Sequence, residues 1–294
     1  MKQKNRIQLI GMTFLIPAAI FILMFNIIPF FWNLVLSLQE WDGFHKPEFI
    51  GFANFAKNFK DPLVRKALLN SVYYAFASTA GSVILGITFA VLLLRLAQKE
   101  GSVFRLILYS PAMLPTAVVG VMFVFFFNSE MGLLNNFLEL IGLESLQHVW
   151  LQDKETAMAC IIFVAIWKNA GSVMLMVFAA MQGIPSSLYE CSYLDGANFL
   201  TQIRKIVFPL VKPMIQLATV NTLGAQFKSY DLIFTMTQGG PANLTTTVPI
   251  VMKKTAFSFG KFGPAASLGV IFTVVVAVSI VVVRRSLRGE TYEY

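Results

Sequence analysis

From Ile7 to Gln39 the chain carries no Asp, Glu, Lys or Arg. A helix crosses the hydrocarbon core of a bilayer in about 20 residues, so this run exceeds what one crossing needs. A secretory signal would have a shorter apolar core followed by a small-residue cleavage site. We therefore read a retained first span over residues 9–37, with Pro29 placed to kink it near its outer end. Charged residues make up only 13% of the sequence and hydrophobic ones 56%, where a soluble domain carries about 25% charged. The composition is that of an integral membrane protein.

Further along, Lys66 and Arg95 bracket a second span, and Arg105 and Glu130 a third. Pro111 and Pro115 fall inside the third, where Ser110 and Thr116 can serve the carbonyls that proline frees. Residues 129–155 hold Glu130, Glu139, Glu144, Asp153 and Glu155 against the single cation Lys154. A fourth span covers 156–181, interrupted by Lys168 and Asn169, and a fifth covers 207–229. Residues 232–252 are uncharged, but Gly239–Gly240–Pro241 and the Thr245–Thr247 run favour a turn or extended structure, so we read an external loop there. The sixth span, 264–283, is closed by Arg284, Arg285 and Arg288.

Six spans place residues 1–8 and 285–294 on one side, with the 95–105 linker and the 183–212 loop. Residues 38–66 form an external loop, and 67–284 hold the remaining five spans. Lys2, Lys4, Arg6, Arg95, Lys99, Arg105, Arg204, Lys205, Lys212, Arg284, Arg285 and Arg288 lie on that side. Cations in the other loops are spread over more residues. The positive-inside rule makes the first set cytoplasmic.

The most distinctive polar stretch is Glu190–Pro213, ECSYLDGANFLTQIRKIVFPLVKP. Ser186 or Ser187 can cap a short helix, with Glu190 three residues after Ser187 as in a capping box. Gly196 can end that helix in the left-handed conformation, beside an Asp195 that tolerates a turn. The expectation is a short helix, a sharp corner and a second helix leading into the membrane. Taken alone, it also fits an ordinary cytoplasmic loop.

Glu190, Asp195, Gly196, Ala197, Ile206, Pro209 and Pro213 stand at the spacing of the EAA loop of ABC importer membrane subunits. Trp41–Gly43 (WDG), Gly51–Phe55 (GFANF) and Gly239–Pro241 (GGP) match the same family. The chain resembles a binding-protein-dependent sugar permease of the maltose/glycerol-phosphate type, the first of two paired permeases. Cys191–Ser192 and Ile203 depart from the family's usual small pair and Phe. The resemblance implies the six-helix, all-α type I importer permease fold in a prokaryotic plasma (inner) membrane. It also implies that Glu190, Asp195, Gly196 and Ala197 dock in a cleft of an ATPase. The implied partners are a second homologous permease, two copies of a cytoplasmic ATPase and an extracytoplasmic sugar-binding protein. ATP and Mg would be held by the ATPase; the chain has no GxxxxGK[ST] of its own, and no cofactor is expected in it.

Polar groups at membrane depth mark pathways. Thr222, Gln226 and Ser229 recur at i, i+4 and i+7, one face of the fifth span, bordered by Asn221 and Lys228. Lys168 and Asn169 sit near the middle of the fourth. Carboxamides and hydroxyls suit sugar hydroxyls, and Trp167 or Tyr230 suits stacking on a pyranose face. The competing reading is polar glue between helices. Lys168 can equally snorkel or pair with an acid on a partner, and Lys228 can pair with Asp231.

Other classes fare worse. The basic residues are scattered at span ends, which suits membrane lipid head groups and argues against nucleic acid. Cys160, Cys191, His45 and His148 show no metal-ligand spacing, and no hydrolase motif occurs, so neither a metal site nor an enzyme is expected. The assigned spans lack the paired carboxylates an ion-coupled transporter would use. Glycerol-phosphate diesters or polyamines remain alternative cargoes.

Overall fold

The computed structural model describes residues 13–287; the expected tail at 1–8, residues 288–294 of the expected tail at 285–294, and the start of the first span at 9–12 lie outside them. Five unbroken helices among the described residues are long and apolar enough to cross a bilayer, and a bent pair makes a sixth. Among the described residues the only strands are two residues long each. The chain divides into two compact units, one formed by residues up to Val64 with Val251–Val274, the other by Arg65–Ile250 with Val275 onward.

The first unit opens with α1, Thr13–Ser37, whose most apolar stretch has no residue buried within the chain. Pro29 has no N–H to give the Phe25 carbonyl. A π turn at Leu23–Ile27 absorbs the missing bond by widening the helix. Strands β1 (Gln39–Glu40) and β2 (Glu48–Phe49) then pair antiparallel. Between them Asp42 Oδ1 accepts from the N–H groups of Phe44 and His45, the side-chain turn Asp favours, with Gly43 at φ +91°. Helix α2, Ala53–Lys60, is pinned by two buried amides. Asn54 Nδ2 donates to the Ser37 and Gln39 carbonyls at 3.1 and 2.8 Å. Asn58 Nδ2 donates to Pro264 O and Ser267 Oγ at 2.9 and 2.7 Å.

In the second unit α3, Pro62–Leu93, is followed by α4, Gln98–Met113, and α5, Thr116–Phe126. The expected third span is therefore broken, with a bend of 95°. Pro111 alone leaves α4 intact, because Ser110 Oγ donates to the Ile107 carbonyl that the proline cannot serve. Pro115 breaks the helix by forcing the residue before it out of the helical region; Leu114 is extended at ψ 140°. Thr116 serves no freed carbonyl and starts α5 instead. Helix α6, Leu133–Leu140, and a 3-10 turn at Glu144–Leu146 lie in the acidic segment. There buried Asn135 accepts from Trp150 Nε1 at 2.7 Å and donates to the Ser129 and His148 carbonyls.

Helix α7, Ala157–Gln182, is the most buried span. It passes α4 at Gly171, where a Cβ would strike the Leu108 carbonyl oxygen. A Cβ at Gly86 of α3 would lie 2.8 Å from the Ala170 carbonyl of α7. Small residues at both crossings let backbones approach, the usual device where lipid supplies no hydrophobic drive between helices.

After α7 come α8, Ser186–Leu194, and α9, Phe199–Phe227, so the fifth span begins earlier than sequence suggested. Its π turn at Ile203–Val207 accommodates Pro209 as that of α1 does Pro29. The 232–252 segment also departs from expectation. Helix α10, Asp231–Thr237, fills its start and α11, Val248–Lys253, closes it. The irregular part narrows to 238–247 and is largely packed inside, with Thr245, Thr246 and Thr247 at most 2% exposed. Asn70 of α3 donates to the Leu244 and Thr246 carbonyls, both at 2.9 Å. Ser71 Oγ accepts from Val248 N. The last helix is α12, Phe262–Ser286.

Candidate functional site

Two regions of the second unit carry the residues singled out above. The first is the elbow between α8 and α9. Its corner forms as expected: Gly196 adopts φ +76°, Ala197 N–H reaches back to Ser192 O at 2.9 Å, and Gly196 N–H to Tyr193 O at 3.0 Å. These two bonds are a Schellman ending, which satisfies carbonyls the helix would otherwise leave open. The expected capping by Ser186 or Ser187 does not occur. Pro185 takes the N-cap position with no side-chain bond, and both serines fall inside the first turn.

The cap that matters is on the other arm. Asn198 Oδ1 accepts from Thr201 N at 2.9 Å, and Gln202 Nε2 donates to Ser192 Oγ at 2.9 Å, tying the arms together. An Asn followed three residues later by Thr was a readable signal, overlooked beside the prolines. Ile203, at 3% exposure, anchors α9 in an apolar cluster with Leu93 and Val207. Arg95 lies over the Phe199 ring at 4.0 Å. Glu190, Asp195 and Gly196 are exposed and Ala197 is half-buried. Beside them Tyr193 and Leu194 project at 76% and 85% exposure.

The second region is a cavity of about 240 Å³ lined by Tyr74, Thr116, Lys168, Asn169, Gln226, Ser229 and Tyr230. Tyr74, unremarked in the sequence because an adjacent Tyr73–Tyr74 pair in an apolar run has no periodicity, comes from α3 and is almost fully buried. Its hydroxyl donates to Gln226 Oε1 at 3.0 Å and lies 3.1 Å from Ser229 Oγ. Asn169 Nδ2 donates to the Ala165 carbonyl one turn back, and Lys168 Nζ to the Ala112 carbonyl. Of the six residues proposed from sequence, Asn169, Gln226, Ser229 and Tyr230 meet here. Thr222, one turn earlier on α9, is outside the lining, and Trp167 packs edge-on against Phe123 at 5.3 Å. Lys228 and Asp231 both border the cavity without forming an ion pair with each other. Among the described residues no cluster of His, Cys, Asp or Glu suits a metal ion.

An elbow projecting from a bundle of spans, joined by one helix to a polar cavity, is a transporter's arrangement. The family described as binding-protein-dependent transport system inner membrane component matches residues 82–289. The chain belongs to that family.

This inner membrane component is 35% identical over 274 residues to the probable ABC transporter permease protein YurN of Bacillus subtilis, covering 92% of the chain and 93% of that protein. It is 32% identical to the sulfoquinovosyl glycerol transport system permease SmoG of Agrobacterium fabrum, over 90% of the chain and 85% of the relative. Its fold matches a chain of a bacterial ABC transporter that imports the acidic polysaccharide alginate, with TM-score 0.84 and 24% identity over 98% and 97% of the two chains. The inner membrane component thus has the ABC type I importer permease fold.

Proposed function

We propose that this chain is one of two homologous permeases in an ATP-driven carbohydrate importer, and that its elbow receives the motion of a cytoplasmic ATPase. The observation that carries this reading is α9. It runs from the elbow's second arm at Phe199 to Gln226 in the cavity wall, about 40 Å at 1.5 Å per residue. A push on the elbow is thereby delivered to the cavity.

Glu190, Asp195, Gly196 and Ala197, with Tyr193 and Leu194 beside them, form the face that enters the ATPase cleft. The corner is rigid because the Schellman bonds, the Asn198 cap and the Gln202 bridge leave it few alternatives. ATP and Mg belong to two ATPase copies, and an extracytoplasmic binding protein delivers the cargo. In this reading both termini and the elbow are cytoplasmic, in the inner membrane of a prokaryote.

Asn169, Gln226 and Ser229 hydrogen-bond cargo hydroxyls, and Tyr230 offers a ring for stacking. Tyr74 bonds Gln226 and Ser229, so cargo exchanges one set of hydroxyl bonds for another rather than meeting bare polar groups. Lys168 and Lys228 on the same wall favour a second reading, a glycoside bearing an anionic group. The permease of sulfoquinovosyl glycerol among the relatives agrees with it.

Alanine at Asn169, Gln226 and Ser229, one at a time, tests the path. Uptake should fall or its KM rise while ATP hydrolysis continues. Unchanged uptake and KM in all three would remove these residues from it.

A further inference from the structure

The second unit contains another cavity, of about 450 Å³, between the 124–152 segment and the end of α10. Its wall includes Phe127, Asn128, Gln152, Thr235, Gln238 and Pro241. None of its lining residues is charged, although Glu130 and Asp153 adjoin it in sequence. The acids of this segment point elsewhere, and its amides make the wall.

Among the described residues the side-chain amides of Gln152 and Gln238 make no hydrogen bond within the chain. Asn128 Oδ1 accepts from Glu130 N and Met131 N, both at 2.9 Å, which fixes the side chain and leaves its NH2 group to donate outward. Each carboxamide offers donors and an acceptor a short distance apart, a match for neighbouring hydroxyls. Buried Phe127, with Pro241, supplies an apolar surface for the C–H face of a ring. An anion would find no cation on this wall, and a cation no carboxylate. An apolar guest would leave the amides facing nothing.

The two cavities are joined by α10. Asp231 and Leu232 at its start border the Tyr74 cavity, and Thr235 to Gln238 at its end border this one. Only Ile233 and Phe234 of this seven-residue helix lie between the two linings, and Asp231 to Gln238 is roughly 10 Å along the axis, so two or more linked rings reach both cavities and a single ring does not. We propose that this cleft is a second sugar subsite, holding an uncharged ring of an oligosaccharide whose other end occupies the Tyr74 cavity. The inference rests on the carbohydrate reading and adds to it a preference for chain length.

The test uses the complete importer with its binding protein in liposomes and measures uptake of glucose, maltotriose and maltopentaose. The variant is Gln152→Ala with Gln238→Gly; glycine is chosen because Gln238 has φ +53°, which glycine adopts without strain. The KM for the longer sugars should rise about fivefold per lost hydrogen bond. Glucose KM, ATP hydrolysis and binding-protein association should stay at wild-type values. Thr235→Val, which removes one hydroxyl at nearly constant volume, should move KM in the same direction and guards against a folding defect in the double variant. An equal change for all three sugars, or none, overturns the subsite. Loss of binding-protein association would also overturn it and make the cleft a protein contact. A wild-type importer that carries none of the series overturns the carbohydrate reading and this inference together.

Discussion

Lys168 Nζ donates to the carbonyl oxygen of Ala112 at 3.3 Å. Ala112 lies in the last turn of α4, just before the 95° break, where helix carbonyls have no N–H to meet them. A cation there also faces the negative end of the helix dipole. Sequence offered two roles for this lysine, snorkelling or pairing with a partner's acid; within the chain it instead caps a broken span.

Lys168→Met should therefore leave the α4 terminus without its donor. The expected loss is about 1–2 kcal/mol, read as a lower thermal midpoint of the detergent-purified protein. Lys168→Arg, which keeps charge and reach, should recover most of it. Equal midpoints for Met and wild type would contradict the cap.

The α4–α7 crossing has no room for a side chain at Gly171. Gly171→Ala drives a methyl into the Leu108 carbonyl and toward the Tyr109 backbone, and overpacking of this kind costs about 1–3 kcal/mol. Gly183→Ala is the control, since its nearest neighbour would be the Ala180 carbonyl at 3.4 Å. Midpoints in detergent should fall for the first and hold for the second.

At the elbow, Gly196→Ala places a Cβ on a residue at φ +76°. The cost is about 1 kcal/mol and is spent locally, since no atom lies within 4 Å of that Cβ. Asn198→Ala removes the α9 cap at a similar cost of about 1 kcal/mol. Both proteins should reach the membrane in normal amount. Co-purification with the ATPase and ATP-driven uptake should fall together, most in the double variant. Normal coupling in the double variant would show that the corner need not be rigid.

The β1–β2 turn carries a pH-dependent contact. The backbone N–H of His45, and after it the ring, holds the Asp42 carboxyl below the usual range. The Asp42 side-chain hydrogen bond in turn raises His45 above 6.5. Because the folded value of His45 is the higher one, its contribution is complete below pH 6.5 as long as Asp42 is ionised, and fades as pH climbs through the folded value. Both groups are open to solvent, so salt weakens the effect. An NMR titration of His45 should give a midpoint above 6.5, and Asp42→Asn should lower it.

Much of this architecture was legible because its causes are local. An uncharged run must become a helix in lipid, and Gly196 had to turn a corner that other residues adopt at a cost. Ser110 could be assigned to the Pro111 gap because both lie on one turn. The Leu114–Pro115 break was also local, yet two prolines tolerated in lipid read alike until one of them had its carbonyl served and the other did not.

Hydropathy fixed the number of spans and the polar elbow, since both follow from which residues neighbour each other along the chain. Tertiary structure alone decided that Tyr74 would meet Gln226 and Ser229, that Lys168 would serve Ala112, and that Asn70 would draw 238–247 into the interior. Each of these is a hydrogen bond between residues far apart in sequence. The choice of partner depends on which backbone groups packing leaves unsatisfied, and no stretch of sequence carries that information by itself.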